Sequence, residues 1–87
     1  MKGSMKACRV CGLEQPDYPW GESGAAPTYA ICACCGVEFG YEDSTLLGIK
    51  KYRENWLRTN GNWWSPEERP PDWALAIQLE NIPPQFR

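Results

Sequence analysis

The sequence contains no histidine, so a Cys2His2 or Cys3His metal site is excluded. It has no long apolar run, which excludes a membrane-spanning helix. It has no basic excess either: 9 Lys and Arg stand against 11 Asp and Glu, a formal net charge of −2. An acidic chain is a poor match for a phosphate backbone. The N-terminal Met1-Lys2-Gly3-Ser4-Met5 lacks the apolar centre of a secretory leader. Gly3-Ser4-Met5 reads as a cloning scar, with Met5 as the native start. No leader and an odd cysteine count argue against a disulfide framework and for a cytoplasmic protein.

The chain is also short. Its 87 residues suffice for one domain. A domain of this size buries only about 60–65% of the surface its unfolded chain exposes, so it benefits from a covalent or metal staple.

The five cysteines provide for one. Cys8-Arg9-Val10-Cys11-Gly12 and Cys32-Ala33-Cys34-Cys35-Gly36 are two knuckles of the form C-x-x-C-G, separated by 20 residues. This spacing lies at the upper end of the range that reads as a zinc site. Four thiolates can close a tetrahedral ion with Zn–S near ~2.3 Å. Glycine after the second cysteine admits the φ > 0 turn that follows. Matching the two knuckles selects Cys8, Cys11, Cys32 and Cys35 as ligands of one Zn²⁺ per chain. Cys34 is left inside the turn, as a small packing residue or as a redox thiol. Glu38 and Glu42 could offer oxygen ligands, but four thiolates already close a site. A catalytic zinc keeps an open position, so the pattern points to a structural metal and a protein that is not an enzyme. With four thiolates and one Zn²⁺ the formal charge becomes about −4.

Residues 13–27 carry prolines, glycines and polar side chains and read as a loop, in which Tyr18 and Trp20 cover the metal or a small core. Thr28–Ile31 and Val37–Tyr41 flank the second knuckle and are expected to pair as a hairpin. The cluster Asp43-Ser44-Thr45 caps a helix from Leu46 to about Asn60, with Ile49, Tyr52 and Trp56 on its inner stripe. Lys50, Lys51, Arg53, Glu54 and Arg58 fill the rest of its circumference as a solvated face, and Asn60-Gly61 stops it. After the extended Asn62-Trp63-Trp64-Ser65 and a Pro-rich connector, Asp72 caps a second helix, Trp73 to about Asn81. That helix is apolar on more than one face and ends at Pro83-Pro84.

The expected fold is a small α+β domain: zinc-ribbon or rubredoxin-like knuckles with a short β-hairpin, then two C-terminal α-helices. Residues 1–6 form a tail and 7–82 the domain, divided into a ribbon (7–43) and a helical half (44–82). Residues 83–87 form a frayed tail.

Two runs carry a resemblance: Tyr29-Ala30-Ile31-Cys32-Ala33-Cys34-Cys35-Gly36-Val37-Glu38-Phe39-Gly40-Tyr41-Glu42-Asp43, and the later Tyr52-Arg53, Trp56, Gly61, Trp64, Pro71, Trp73 and Gln78-Leu79. Over residues 7–82 the chain resembles a family of small bacterial cysteine-rich (CPCC-like) proteins. It departs from them at Arg9 and Ala33, where a proline is typical within the knuckle. The resemblance implies a zinc-ribbon-like domain and brings no catalytic residue with it.

Three functions remain open. The first is a zinc protein that binds a protein partner or a second copy of itself, with an accessory or immunity-type inhibitor as one version. Trp63 and Trp64 are its candidate contact residues, because adjacent side chains of an extended segment point opposite ways and tryptophan is enriched at binding hot spots. An exposed patch formed by residues 62–65 and one side of the second helix is expected. The second is a rubredoxin-like electron carrier with iron in the same four thiolates. The third is a nucleic-acid-binding ribbon, supported only by Arg9 and Lys50-Lys51-Arg53. No small-molecule substrate is indicated.

Overall fold

The computed structural model describes residues 5–87; the residues read as a cloning scar, Gly3 and Ser4, lie outside them. The described chain holds two α-helices, α1 (Leu46–Leu57) and α2 (Leu75–Leu79), and single 3-10 turns at Pro66–Glu68 and Pro84–Phe86. No β-strand or sheet is present among the described residues, which corrects the expected α+β class and its hairpin.

Hydrogen bonding shows why the hairpin stops short. The segments flanking the second knuckle meet in one antiparallel bridge, Ile31 with Glu38. Cys32 N donates to Val37 O at 2.9 Å and Phe39 N to Ala30 O at 3.0 Å. One residue further out, Tyr29 takes φ 61°, a left-handed conformation that no strand accommodates. On the other side Tyr41 N turns back to Glu38 O at 3.1 Å. The first knuckle repeats the pattern. Ala7 bridges Glu14, Cys8 N donates to Leu13 O and Gln15 N to Lys6 O, both at 2.9 Å. Within each knuckle the glycine amide returns to the first cysteine: Gly12 N to Cys8 O at 2.9 Å, Gly36 N to Cys32 O at 3.0 Å. The two knuckles are thus one hydrogen-bonded motif used twice.

The C-terminal half wraps around these loops. In α1, Thr45 Oγ1 accepts from Gly48 N at 3.0 Å and caps the helix, as expected of the Asp43-Ser44-Thr45 cluster. Asp43 itself is fully buried; its Oδ1 accepts from Gly40 N at 2.7 Å and its Oδ2 from Trp20 Nε1 at 2.8 Å. Ile49 and Trp56 are buried, and Tyr52 and Arg53 are half-buried between them. Arg53 therefore belongs to the inner stripe rather than to the solvated face assigned from the sequence. It lies four residues after Ile49 and three before Trp56, in register with both.

Helix α2 is shorter than expected. Asp72 does not cap it; the N-cap is Ala74, with no side-chain bond. Trp73 N donates to Pro70 O at 3.2 Å, so the chain is still turning where the helix was expected to begin. The tail is not frayed. Ile82 and Pro83 are buried, and the Phe86 carbonyl accepts from Arg53 Nη2 at 2.6 Å. The core comprises the five cysteines with Val10, Val37, Phe39, Ile49, Trp56 and Trp63, against which Leu13, Tyr52, Trp73, Leu75, Leu79 and Phe86 pack.

Candidate metal centre

Each knuckle turns its two cysteines inward. The Sγ atoms of Cys8, Cys11, Cys32 and Cys35 all lie within 4.8 Å of one another. The pairs Cys8–Cys35 and Cys11–Cys32, each across the two knuckles, stand 3.7 Å apart. A tetrahedral ion with bonds of ~2.3 Å requires ligand edges of about 3.8 Å, whereas a disulfide requires ~2.05 Å. The sulfurs thus have metal-site spacing, and all five cysteines are free thiols. Cys8, Cys11 and Cys32 are wholly inaccessible, and Cys35 is 7% exposed. These four buried cysteines are placed to hold one metal ion. Cys34 is also buried but lies outside the quartet.

The thiols do not behave alike. Burial pushes Cys11 and Cys35 well above the ordinary thiol value. Cys32 is pulled far below it by hydrogen bonds from Cys11, Cys35 and Cys8. Gln15 Nε2, 3.5 Å from Cys32 Sγ, adds a donor there. Cys34 is held below the ordinary value by hydrogen bonding with Cys11, with burial opposing and Gln78 assisting. Burial thus resists charge on Cys11 and Cys35, and ionising all four thiols in this buried place requires a cation to offset them.

Several residues fix the knuckles from outside, and sequence reasoning gave them no such role. Arg53 donates from Nε to Val10 O at 2.6 Å and from Nη2 to Arg9 O at 2.8 Å. It thereby grips the backbone between Cys8 and Cys11 as well as the tail. Burial lowers its guanidinium pKa, while the charge of Cys8 and Cys11 acts to raise it. Tyr52 Oη donates to Cys35 O at 3.1 Å. Its phenol is pushed up to about 12 by burial and then by the charge of Cys35 and Glu42, so it remains a donor. Gln78 Nε2 donates to Cys11 O at 3.1 Å and to Cys34 Sγ at 3.3 Å, while its Oε1 accepts from Trp73 Nε1 at 2.7 Å. A lone glutamine in the apolar run 73–82 was the signal in the sequence: buried amides need partners.

The glycines are packed as well as turned. Gly12 has φ 87° and Gly36 φ 82°. A Cβ on Gly12 would collide with the backbone carbonyl of Gln78, and one on Gly36 would lie 2.7 Å from Trp64 Cε3. Each knuckle is therefore covered by a piece of the C-terminal half. The 62–65 segment is also pinned by Trp64 N to Cys34 O and Ser65 N to Ala33 O, both 2.8 Å.

The two candidate contact residues part company. Trp63 is 5% exposed and meets Trp73 edge-on at 5.5 Å; Trp64 is 62% exposed. Trp64 lines a groove of about 310 Å³ with Cys35, Tyr52 and Trp56. Ile77, 66% exposed, lines a different groove of about 390 Å³ beside Gly12 and Trp73. No residue lines both, so the apolar surface expected as one patch is divided between two grooves. Arg9 is stacked between Trp20 and Phe86, 4.0 and 4.1 Å from their ring centroids. Tyr18 stays partly exposed beside Lys6.

No helix of the described residues is long and apolar enough to cross a membrane. No family model, no curated protein and no solved structure matches the chain.

Proposed function

We propose that the four cysteines hold one Zn²⁺ as a structural staple, and that the protein acts by binding another protein rather than by catalysis. The observation that carries this reading is the buried sulfur quartet with edges near tetrahedral spacing. Four protein ligands leave no open position for substrate. Zinc binding of ~10–16 kcal/mol, the scale seen in small finger peptides, is comparable to the whole stability of a small domain.

The contact surface is centred on Trp64, an exposed tryptophan on a backbone anchored to the second knuckle. A large aromatic side chain on a fixed backbone loses little entropy on binding, which suits a hot spot. An accessory or inhibitor role toward a protein partner is the form of this reading that fits a small acidic chain. The nucleic-acid alternative loses ground, because Arg9 and Arg53 are engaged internally and only Lys50 and Lys51 of the basic set face solvent.

Chelation tests the staple. Stripping the metal is expected to unfold the domain, and one equivalent of Zn²⁺ to restore it. An apo protein that keeps its tertiary circular dichroism would overturn the staple.

A further inference from the structure

Two exposed faces of the chain carry apolar surface beside charge, and their charges are of opposite sign. The first is the groove of about 390 Å³ beside the first knuckle. Leu13, Trp73 and Ile77 give it an apolar lining, and its charged residues are Glu14 and Asp72, both exposed. No lysine or arginine lines it, and neither carboxylate forms an ion pair among the described residues. Ile77 projects from a helix held in place by its neighbour, since Gln78 Nε2 donates to Cys11 O at 3.1 Å.

The second face is the outer side of α1. Ile49 and Trp56 are buried on the inner side, which leaves Leu47, Lys50 and Lys51 exposed on the other. Leu47 is 79% exposed. Residues three and four apart are neighbours on a helix surface, so both lysines stand beside Leu47, one turn further along. Neither pairs with a carboxylate of the described residues; Glu54, the next acidic residue of the helix, is taken by Arg58 at 3.2 Å. No residue of α1 lines the groove, so the two faces are separate surfaces of one chain.

We propose that the groove receives α1 of a second copy, with Leu47 set against Leu13, Trp73 and Ile77, and Lys50 and Lys51 directed to Glu14 and Asp72. Burial of the leucine supplies the affinity, and the opposed charges fix the orientation. The net charge of −2 disfavours other encounters between copies. Because the two faces differ, the contact is heterologous and copies add head to tail. Trp64 belongs to neither face, so this contact does not rest on the partner role assigned to that residue and leaves its surface open.

Sedimentation of the zinc-loaded protein with reversed charges tests the contact. The wild type is expected to associate reversibly over ~10–500 μM, the range of a contact smaller than a standard interface. One variant carries Lys50→Glu and Lys51→Glu, the other Glu14→Lys and Asp72→Lys, all at exposed positions. Each alone is expected to stay monomeric over that range, because its two faces then carry the same sign. Mixed in equal amounts, the two are expected to associate again, since each meets the opposite charge on the other. Leu47→Ser, which leaves the charges unchanged, is expected to weaken wild-type association about tenfold, as loss of a leucine contact does. Tertiary circular dichroism confirms that each variant is folded. A wild type that stays monomeric throughout would leave the groove to a separate basic partner or to solvent, and would overturn the proposal. Charge-reversed variants that associate like the wild type, or a mixture of folded variants that remains monomeric, would overturn it as well.

Discussion

Arg53 Nε stands 2.6 Å from the carbonyl oxygen of Val10, linking the middle of α1 to the turn that presents Cys8 and Cys11. The same guanidinium holds the carbonyls of Arg9 and Phe86. One side chain of α1 thus ties both the first knuckle and the C-terminal tail to the helix. Arg53→Ala is expected to destabilise the zinc-loaded protein by about 2–4 kcal/mol, since hydrogen bonds to a charged group contribute ~1.5–3 kcal/mol each and are not additive. Arg53→Lys should recover only part of this, because an ammonium cannot reproduce the planar fork. Urea unfolding measures both. A change below ~0.5 kcal/mol for Arg53→Ala would show that the grip is incidental.

The two knuckle glycines are expected to respond unequally. Alanine at either position meets the left-handed penalty of roughly 1–2 kcal/mol. Gly12→Ala must in addition displace the backbone carbonyl of Gln78, whereas Gly36→Ala displaces only the exposed ring of Trp64. Gly12→Ala should therefore be the more damaging by at least ~1 kcal/mol in a paired unfolding experiment. Equal losses would mean that the C-terminal half does not rest on the first knuckle as described.

Trp63 and Trp64 separate structure from recognition. Trp63→Ala empties a buried site and is expected to cost about 3–5 kcal/mol. Trp64→Ala, on a mostly exposed side chain, should cost under ~1.5 kcal/mol and leave the metal in place. If a second copy of the chain is the partner, Trp64→Ala should shift sedimentation toward the monomer while Cys34→Ser does not. Should Trp64→Ala unfold the domain, its role is packing and the contact surface must be sought elsewhere.

The cysteine quartet was legible because ligand spacing is a local property: two matching C-x-x-C-G runs determine which thiols can converge. The start of α1 was legible for a similar reason, since Thr45 caps its own neighbour. The hairpin was misread because alternation of residue types does not reveal a left-handed Tyr29. Arg53 was misread because charge outweighed register: its position on the inner stripe was visible, but the carbonyls that hold it come from Arg9, Val10 and Phe86, all distant in sequence. The docked tail shares that cause. The split between Trp63 and Trp64 followed from adjacency, but which of them turns inward depends on Trp73, a tertiary contact.

Metal content per chain in matched variants tests the central claim most directly. Elemental analysis of the purified wild type should give one zinc per chain and little iron. Cys34→Ser should match it, because Cys34 lies outside the quartet, and Cys35→Ser should fall well below one. Stoichiometric iron in the wild type would replace the zinc staple with an electron-transfer centre. Metal lost in Cys34→Ser but retained in Cys35→Ser, or a wild type that binds none, would contradict the four-cysteine site itself.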